Sequence, residues 1–420
     1  MTHTKQQVSW ALYDWANSAY ATTIMAGFFP IFYKQYWAEG LSTSESTFNL
    51  GLANSIASLV VVILAPFIGT LSDTLSCKKK LLFYFAGMGI IMAACFSLVN
   101  QGAWLLACII YTVATVSFMT SNIFYDALLI GVAQPQEREK ISALGFALGY
   151  LGGGLLFTIN VLMSLNPHWF GISDVTTAVK LSFLSVAIWW ALFSIPIFLF
   201  VKEPPSQPLS SRSAKIALQK LYATIKQARK LKHTFLFLVA YWLYIDGVDT
   251  IIRMAVDYGL SLGFRSNTLL TALLITQFIG FPATLLFGRI GEKLGPKTGI
   301  YIGICAYIIV TLWASTMNSE YEFYALAIAI GLVQGGIQAL SRALYSRLIP
   351  PHRAGEFYGL YNMLGKFSAV IGPFMVGWLG IVLDSPRLAI LSIIILFVAG
   401  LTFLYFVDPN KGEIAAKEAP

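Results

Sequence analysis

The stretch YIDGVDTIIRMAVD, residues 244–257, sets Asp246, Asp249, Arg253 and Asp257 inside a run that otherwise reads as a hydrophobic membrane span. Charged side chains are costly at such depth, so those that occur there pair, face water or serve a pathway. A shorter echo, YDWAN at residues 13–17, opens the first half of the chain. Together the two stretches predict a duplicated membrane protein with polar groups along a central route.

Composition agrees. The 420 residues are 57% hydrophobic and 11% charged, with mean hydropathy +0.70, against about 25% charged in a soluble domain. Runs near the ~20 residues needed to cross a bilayer recur along nearly the whole chain. Helices satisfy their own backbone groups in lipid, and the short alternating segments of a membrane barrel are absent. The pattern predicts an all-α integral membrane protein. Its first six spans are 10–33, 48–71, 81–99, 103–130, 141–165 and 178–201; the second six are 234–258, 267–288, 298–315, 322–346, 356–380 and 388–407. The chain divides into a bundle at 1–201, a linker at 202–232, a second bundle at 233–408 and a tail at 409–420. The linker begins Pro/Ser-rich and ends basic and amphipathic, the pattern of an interfacial helix or of a docking site for a partner.

Basic residues fix the orientation. One side of the predicted topology holds 21 of them, among them Lys5, Lys78 to Lys80, Arg138, Arg347, Lys411 and eight in the linker; the other holds four, Lys34, Lys180, Arg265 and Arg387. By the positive-inside rule both termini and the linker face the cytoplasm. The net charge of +8 is therefore topological, and nucleic acid is not an expected partner. The four cysteines have no metal spacing, and no cleavable signal peptide is evident.

The halves repeat. Gly69-x-x-x-Asp73 with Lys78 to Lys80 after span 2 matches Gly288-x-x-x-Glu292 with Lys293 and Lys297 after span 8; Pro135 and Gly149 match Pro351 and Gly365. Six plus six spans in parallel halves suit a secondary transporter. GTLSDTLSCKKK (69–80) resembles the short loop of the major facilitator superfamily, departing at Ser76 and Cys77 where Gly-Arg is usual. A narrower resemblance rests on YDWANSAYATTI, YWLYIDGVDTI, VQGGIQALSRALYSRLIP and EFYGLYNMLGKFSAVIGP, which are similar to the family of fungal vacuolar amino-acid effluxers and many bacterial members. The resemblance implies the major facilitator fold, with spans 1, 4, 7 and 10 lining a cavity.

On that arrangement the substrate and coupling candidates are Asp14, Asn17 and Tyr20 in span 1, Asn122 in span 4, Asp246, Asp249 and Arg253 in span 7, Gln334 and Gln338 in span 10, and Asn362 and Lys366 in span 11. Asp246, near the midplane at about 1.5 Å per residue, is the leading coupling site. Asp249 with Arg253 reads either as part of that site or as a clamp. Lys366 pairs with Asp14, with Asp246 or with a substrate carboxylate. Asp73, Asp126, Glu292 and Arg342 are gating candidates. Nothing resembles a phosphate loop, a metal cluster or a nucleophile–base pair, so neither catalysis nor a cofactor is expected. The expectation is a monomer that moves a small polar solute, an amino acid or similar metabolite, with protons by alternating access. A facilitator or multidrug exporter, or a transporter-like receptor using the basic linker, remains the alternative.

Overall fold

The computed structural model describes residues 4–41, 43–75, 77–203, 231–383 and 385–419; the side chains of Asp73, Arg253, Asp257 and Lys366 lie outside the described set. The linker helix expected within 202–232 falls outside the described residues as well. Among the described residues the fold is carried by twelve long helical segments, and no strand is present.

In the first half these are α1 (Lys5–Ala19), α2 (Thr43–Leu75), α3 (Lys78–Cys95), α4 (Trp104–Val132), α5 (Arg138–Leu165) and α6 (Val175–Phe200). In the second they are α7 (Lys232–Ser261), α8 (Ser266–Leu294), α9 (Pro296–Thr316), α10 (Glu320–Leu348), α11 (Ala354–Leu383) and α12, built from Pro386–Leu391 and Ile393–Tyr405. Ten helices in the described chain are long and apolar enough to cross a membrane. The two outside that set are α1 and α11. In α1 the helix passes into π-helical turns at Tyr20–Phe28 and again at Tyr33–Trp37, so the span runs from Lys5 to Trp37 in differently wound pieces. Such turns are rare and concentrate at functional segments. Here the first begins just beyond Asp14 and Asn17.

Local sequence sets the helix ends. Thr4 and Gln7 form a capping box on α1, and Ser319 and Glu322 form one on α10. Between α8 and α9 the chain turns at Gly295 with φ of 85°, a left-handed position that favours glycine, and Pro296 then starts α9. The Asp174 carboxylate caps α6, accepting from the Thr177 backbone N–H at 2.9 Å and from the Thr177 hydroxyl at 2.8 Å. These bonds favour the ionised form and hold its pKa down to about 2. A depressed carboxyl pKa contributes stability that is present above about pH 4 and lost as pH falls towards 2. Asp174→Asn is thus expected to lower the thermal midpoint near neutrality and to flatten its acid dependence between pH 4 and 2, measured by unfolding at stepped pH.

The repeat read in the sequence recurs as bonding. At the start of α3, Lys79 Nζ donates to the carbonyls of Phe198 (2.9 Å) and Val201 (2.6 Å) at the end of α6. At the start of α9, Lys297 Nζ donates to Tyr405 (3.0 Å) and Val407 (2.7 Å) at the end of α12. In each half an ammonium neutralises the carbonyl end of the last helix. Tyr13 similarly bonds Ser121 between α1 and α4 at 2.9 Å, as Tyr244 bonds Ser341 between α7 and α10 at 2.6 Å.

The halves meet along two seams related by the same repeat, α2 on α11 and α5 on α8. In the first seam, a Cβ on Gly69 would overlap the Gly355 carbonyl; in the second, a Cβ on Gly288 would lie 2.6 Å from the Ala143 methyl. The glycines of the repeated loop motif therefore allow close approach of the halves at the end of the bundle that carries both termini. Gly288→Leu is expected to wedge that end open, and spin labels at Lys140 and Lys293 should report a longer separation than in the unaltered protein. The segment expected as a tail is largely helical: Pro409–Glu418 packs on the ends of α7 and α10, with Gly412 and Ala416 buried.

Candidate functional site

Between the halves lies a cavity of about 350 Å³. Among the expected residues, Asp14 and Asn17 from α1, Asn122 and Asp126 from α4, Asp249 from α7, Gln334, Gln338 and Arg342 from α10 and Asn362 from α11 line it. Four helices related in pairs by the repeat thus supply most of its polar groups.

Arg342 organises the end of the cavity nearer the termini. Its Nε donates to the Ser142 hydroxyl at 2.9 Å, and one terminal nitrogen donates to Asp126 at 3.1 Å and Asp14 at 3.4 Å. The other terminal nitrogen donates to Asp14 at 3.4 Å and to the Ser142 carbonyl at 2.9 Å. All five N–H donors of the guanidinium are thereby engaged. The group also lies over the Phe146 ring at 4.2 Å, with Trp10 and Tyr125 at 4.9 and 5.3 Å. Its side chain is 3% exposed, and those of Asp14 and Asp126 are 13% and 10% exposed.

The carboxylates have further partners. Tyr125 donates to Asp14 at 2.8 Å, and Asn362 donates to Asp126 at 3.3 Å. One guanidinium on the second half therefore holds two carboxylates on the first. A guanidinium with every donor occupied has none left for a solute carboxylate in this arrangement.

Closer to the termini, the closure continues between α5 and α10. Arg138 donates to the Ser346 carbonyl at 2.7 Å, Arg347 donates to Glu139 at 2.7 Å, and Ser142 donates to the Ala339 carbonyl at 2.8 Å. Towards the other end, Gln277 of α8 donates to Thr22 of α1 at 2.9 Å, a further contact across the halves. Around the cavity wall, Asn17 donates to Asn122 at 2.6 Å.

A family model described as vacuole effluxer Atg22 like matches residues 40–417. The chain belongs to this Atg22-like family. A Bacillus subtilis relative described as an uncharacterized MFS-type transporter, YxiO, is 39% identical over 423 residues, covering 99% of this chain and 97% of that protein. Autophagy-related protein 22 of Yarrowia lipolytica is 26% identical over 66% of the chain and 52% of its own length. The Atg22-like chain thus spans about half the length of that fungal relative. Two solved structures match at TM-score 0.71 and 16% identity. One is the human organic anion transporter MFSD10, with 95% of this chain and 99% of that one covered; the other is the proton:xylose symporter XylE, at 99% and 97%. They show the major facilitator fold. The Atg22-like chain is accordingly a transporter of that superfamily.

The structure places several candidates differently from the sequence reading. Asp246 is 1% exposed, and its Oδ1 accepts from the Gly372 backbone N–H of α11 at 2.9 Å and from the Thr250 hydroxyl at 3.4 Å. It joins α7 to α11 and is not among the residues that line the cavity, whereas Asp249 is. Tyr20 points into the first half, bonded to Thr115 at 3.0 Å and packed on Trp190 and Phe118. Glu292 is exposed near the end of α8. Asp73, Arg253 and Lys366 lie outside the described side chains.

Sequence reasoning passed over Ser142, Tyr125 and Gly145 in this Atg22-like chain. A Cβ on Gly145 would lie 2.7 Å from the Tyr125 hydroxyl and 2.8 Å from Asp14 Oδ2, so the cluster needs glycine there. The available signal is the small-residue stripe Gly145, Gly149 and Gly153 along α5. The last two face Ser18 and Thr22 of α1.

Proposed function

We propose that the chain moves a small polar solute by alternating access, driven by protons, and that the Asp14–Arg342–Asp126 cluster is both the latch and the coupling element. The observation that carries this reading is the single guanidinium shared across the halves by two buried carboxylates. The half that moves away must pull Arg342 from both. Protonating one carboxylate removes half of that charge attraction and lets the end near the termini open. Reprotonation from one side and release to the other couples the proton gradient to solute movement. The coupling role assigned in the sequence to Asp246 passes to Asp126 and Asp14, because Asp246 is engaged within its own half.

The amides of Asn17, Asn122, Gln334, Gln338 and Asn362 supply both donors and acceptors, which suits a solute rich in both, such as an amino acid or similar metabolite. The description of the family model as vacuole effluxer Atg22 like supports export. The distribution of basic residues supports a cytoplasmic location for both termini, and the near full-length bacterial relative supports the bacterial inner membrane. The test is flux of a metabolite panel into proteoliposomes under an imposed pH gradient. Uphill accumulation that collapses with a protonophore supports the reading, and its absence across the panel rejects it.

A further inference from the structure

The second half contains another cavity, which the mechanism above does not use. A cavity of about 80 Å³, open on one side to the outside, lies among α7, α8, α9, α10 and α12. Among the described residues its wall is mostly hydrocarbon, with Leu269, Leu273, Met317, Phe323, Leu326 and Ile390 prominent. Polar groups on the wall are turned to the backbone. Thr276 donates to the Ala272 and Ala327 carbonyls at 3.0 and 3.1 Å, Thr311 to Tyr307 at 2.7 Å, and Tyr258 to Ala314 at 2.7 Å. Gln334 lines this chamber and the central cavity alike.

Among the described residues the repeat offers a comparison with the first half. The separation that relates Lys79 to Lys297 also relates Phe96 to Ala314. The separation between the capped carbonyls of Phe198 and Tyr405 relates Phe183 to Ile390, and that between Val201 and Val407 relates Phe183 to the adjacent Ala389. In the first half the Phe96 and Phe183 rings are 5.4 Å apart and join Phe29, Trp37 and Tyr111 in a solid aromatic plug. In the second half an alanine and an isoleucine stand in their places and line empty space. An apolar void is poorly suited to water and forfeits packing contacts, which an apolar guest would restore.

We propose that this chamber is a side pocket of the transport route, taking the uncharged apolar arm of an amphipathic solute whose polar head lies among the amides of the central cavity, with Gln334 at the junction. Its place in transport rests on the proposed function; the binding does not. The probes are straight-chain primary amides, from butanamide to decanamide, added to the full-length protein in lipid nanodiscs, with thermal-unfolding shifts as the readout. Apparent affinity is expected to rise about fourfold per methylene, the equivalent of about 0.8 kcal/mol per buried CH₂, and then to level off once the chamber is full.

Ala327→Phe on α10 and Ala272→Phe on α8 fill the chamber from two adjoining helices and should flatten the series. Ile330→Ala enlarges it and should carry the rise to longer chains, which keeps the test open should both filled variants fail to fold. An equal rise in the unaltered and filled proteins reports partition into lipid and overturns the proposal, as does no rise at all or an unchanged plateau in Ile330→Ala. A chain-length series that behaves as expected in a protein without flux would leave the chamber standing and reject the transporter mechanism alone.

Discussion

Arg342→Met is expected to abolish solute flux and to destabilise the protein by about 3–5 kcal/mol, the usual cost of removing one partner of a buried ion pair. The variant leaves Asp14 and Asp126 facing one another with no cation between them, and strips the Ser142 hydroxyl and carbonyl of their donors. Arg342→Lys should fare little better. A lysine offers three donors from one point, whereas the acceptors around Arg342 are arranged to match a planar fork. Adding Asp126→Asn to the methionine variant should recover part of the thermal midpoint, by removing one unpaired carboxylate, without restoring flux. Thermal unfolding in nanodiscs reads the stability directly. An unchanged midpoint in Arg342→Met would sink the view that the cluster holds the halves together.

The second large effect belongs to Asp126. With Asp126→Asn, accumulation driven by a pH gradient is expected to fall at least about tenfold, while exchange of labelled solute across proteoliposomes at equal pH persists. The amide keeps the size of the carboxyl and an oxygen able to accept from Arg342, so solute can still move. What it lacks is a carboxyl oxygen that can take up a proton and give it back. Asp246→Asn provides the contrast. Its oxygen can still accept from Gly372 N–H, so the α7–α11 join is only weakened and the pH-driven component should survive. If Asp246→Asn abolishes pH-driven accumulation while Asp126→Asn spares it, the coupling assignment is reversed.

Much of the fold was legible because hydropathy and charge asymmetry report topology directly. The π-helical course of α1 was not, since an extra residue per turn leaves no mark on apolar composition. For the candidate site, the sequence singled out Asp14, Asp126 and Arg342 but not their grouping, and it passed over Ser142 and Tyr125 beside them. Asp14 was assigned to the solute route and Asp126 and Arg342 to a gate, because estimates of depth along three separate helices say nothing about which side chains converge. Asp246 and Asp249 stand three residues apart, so which of them meets the cavity depends on how α7 is rotated against α11. That rotation is fixed by packing, with Gly372 admitting the Asp246 carboxylate to its backbone. The chamber was invisible for a related reason: Leu269, Met317 and Ile390 read as ordinary filling in a sequence that is mostly hydrocarbon.

The paired lysine caps have a mechanical corollary. Lys79 ties the start of α3 to the end of α6, and Lys297 ties the start of α9 to the end of α12. Each half thus fastens its last helix to an earlier one with a bond that never crosses to the other. None of these fastenings has to break when the seams slide. On the proposed alternating-access reading the molecule acts as a tethered pseudo-dimer: two separately buckled bodies, with the work of the cycle concentrated in the contacts between them.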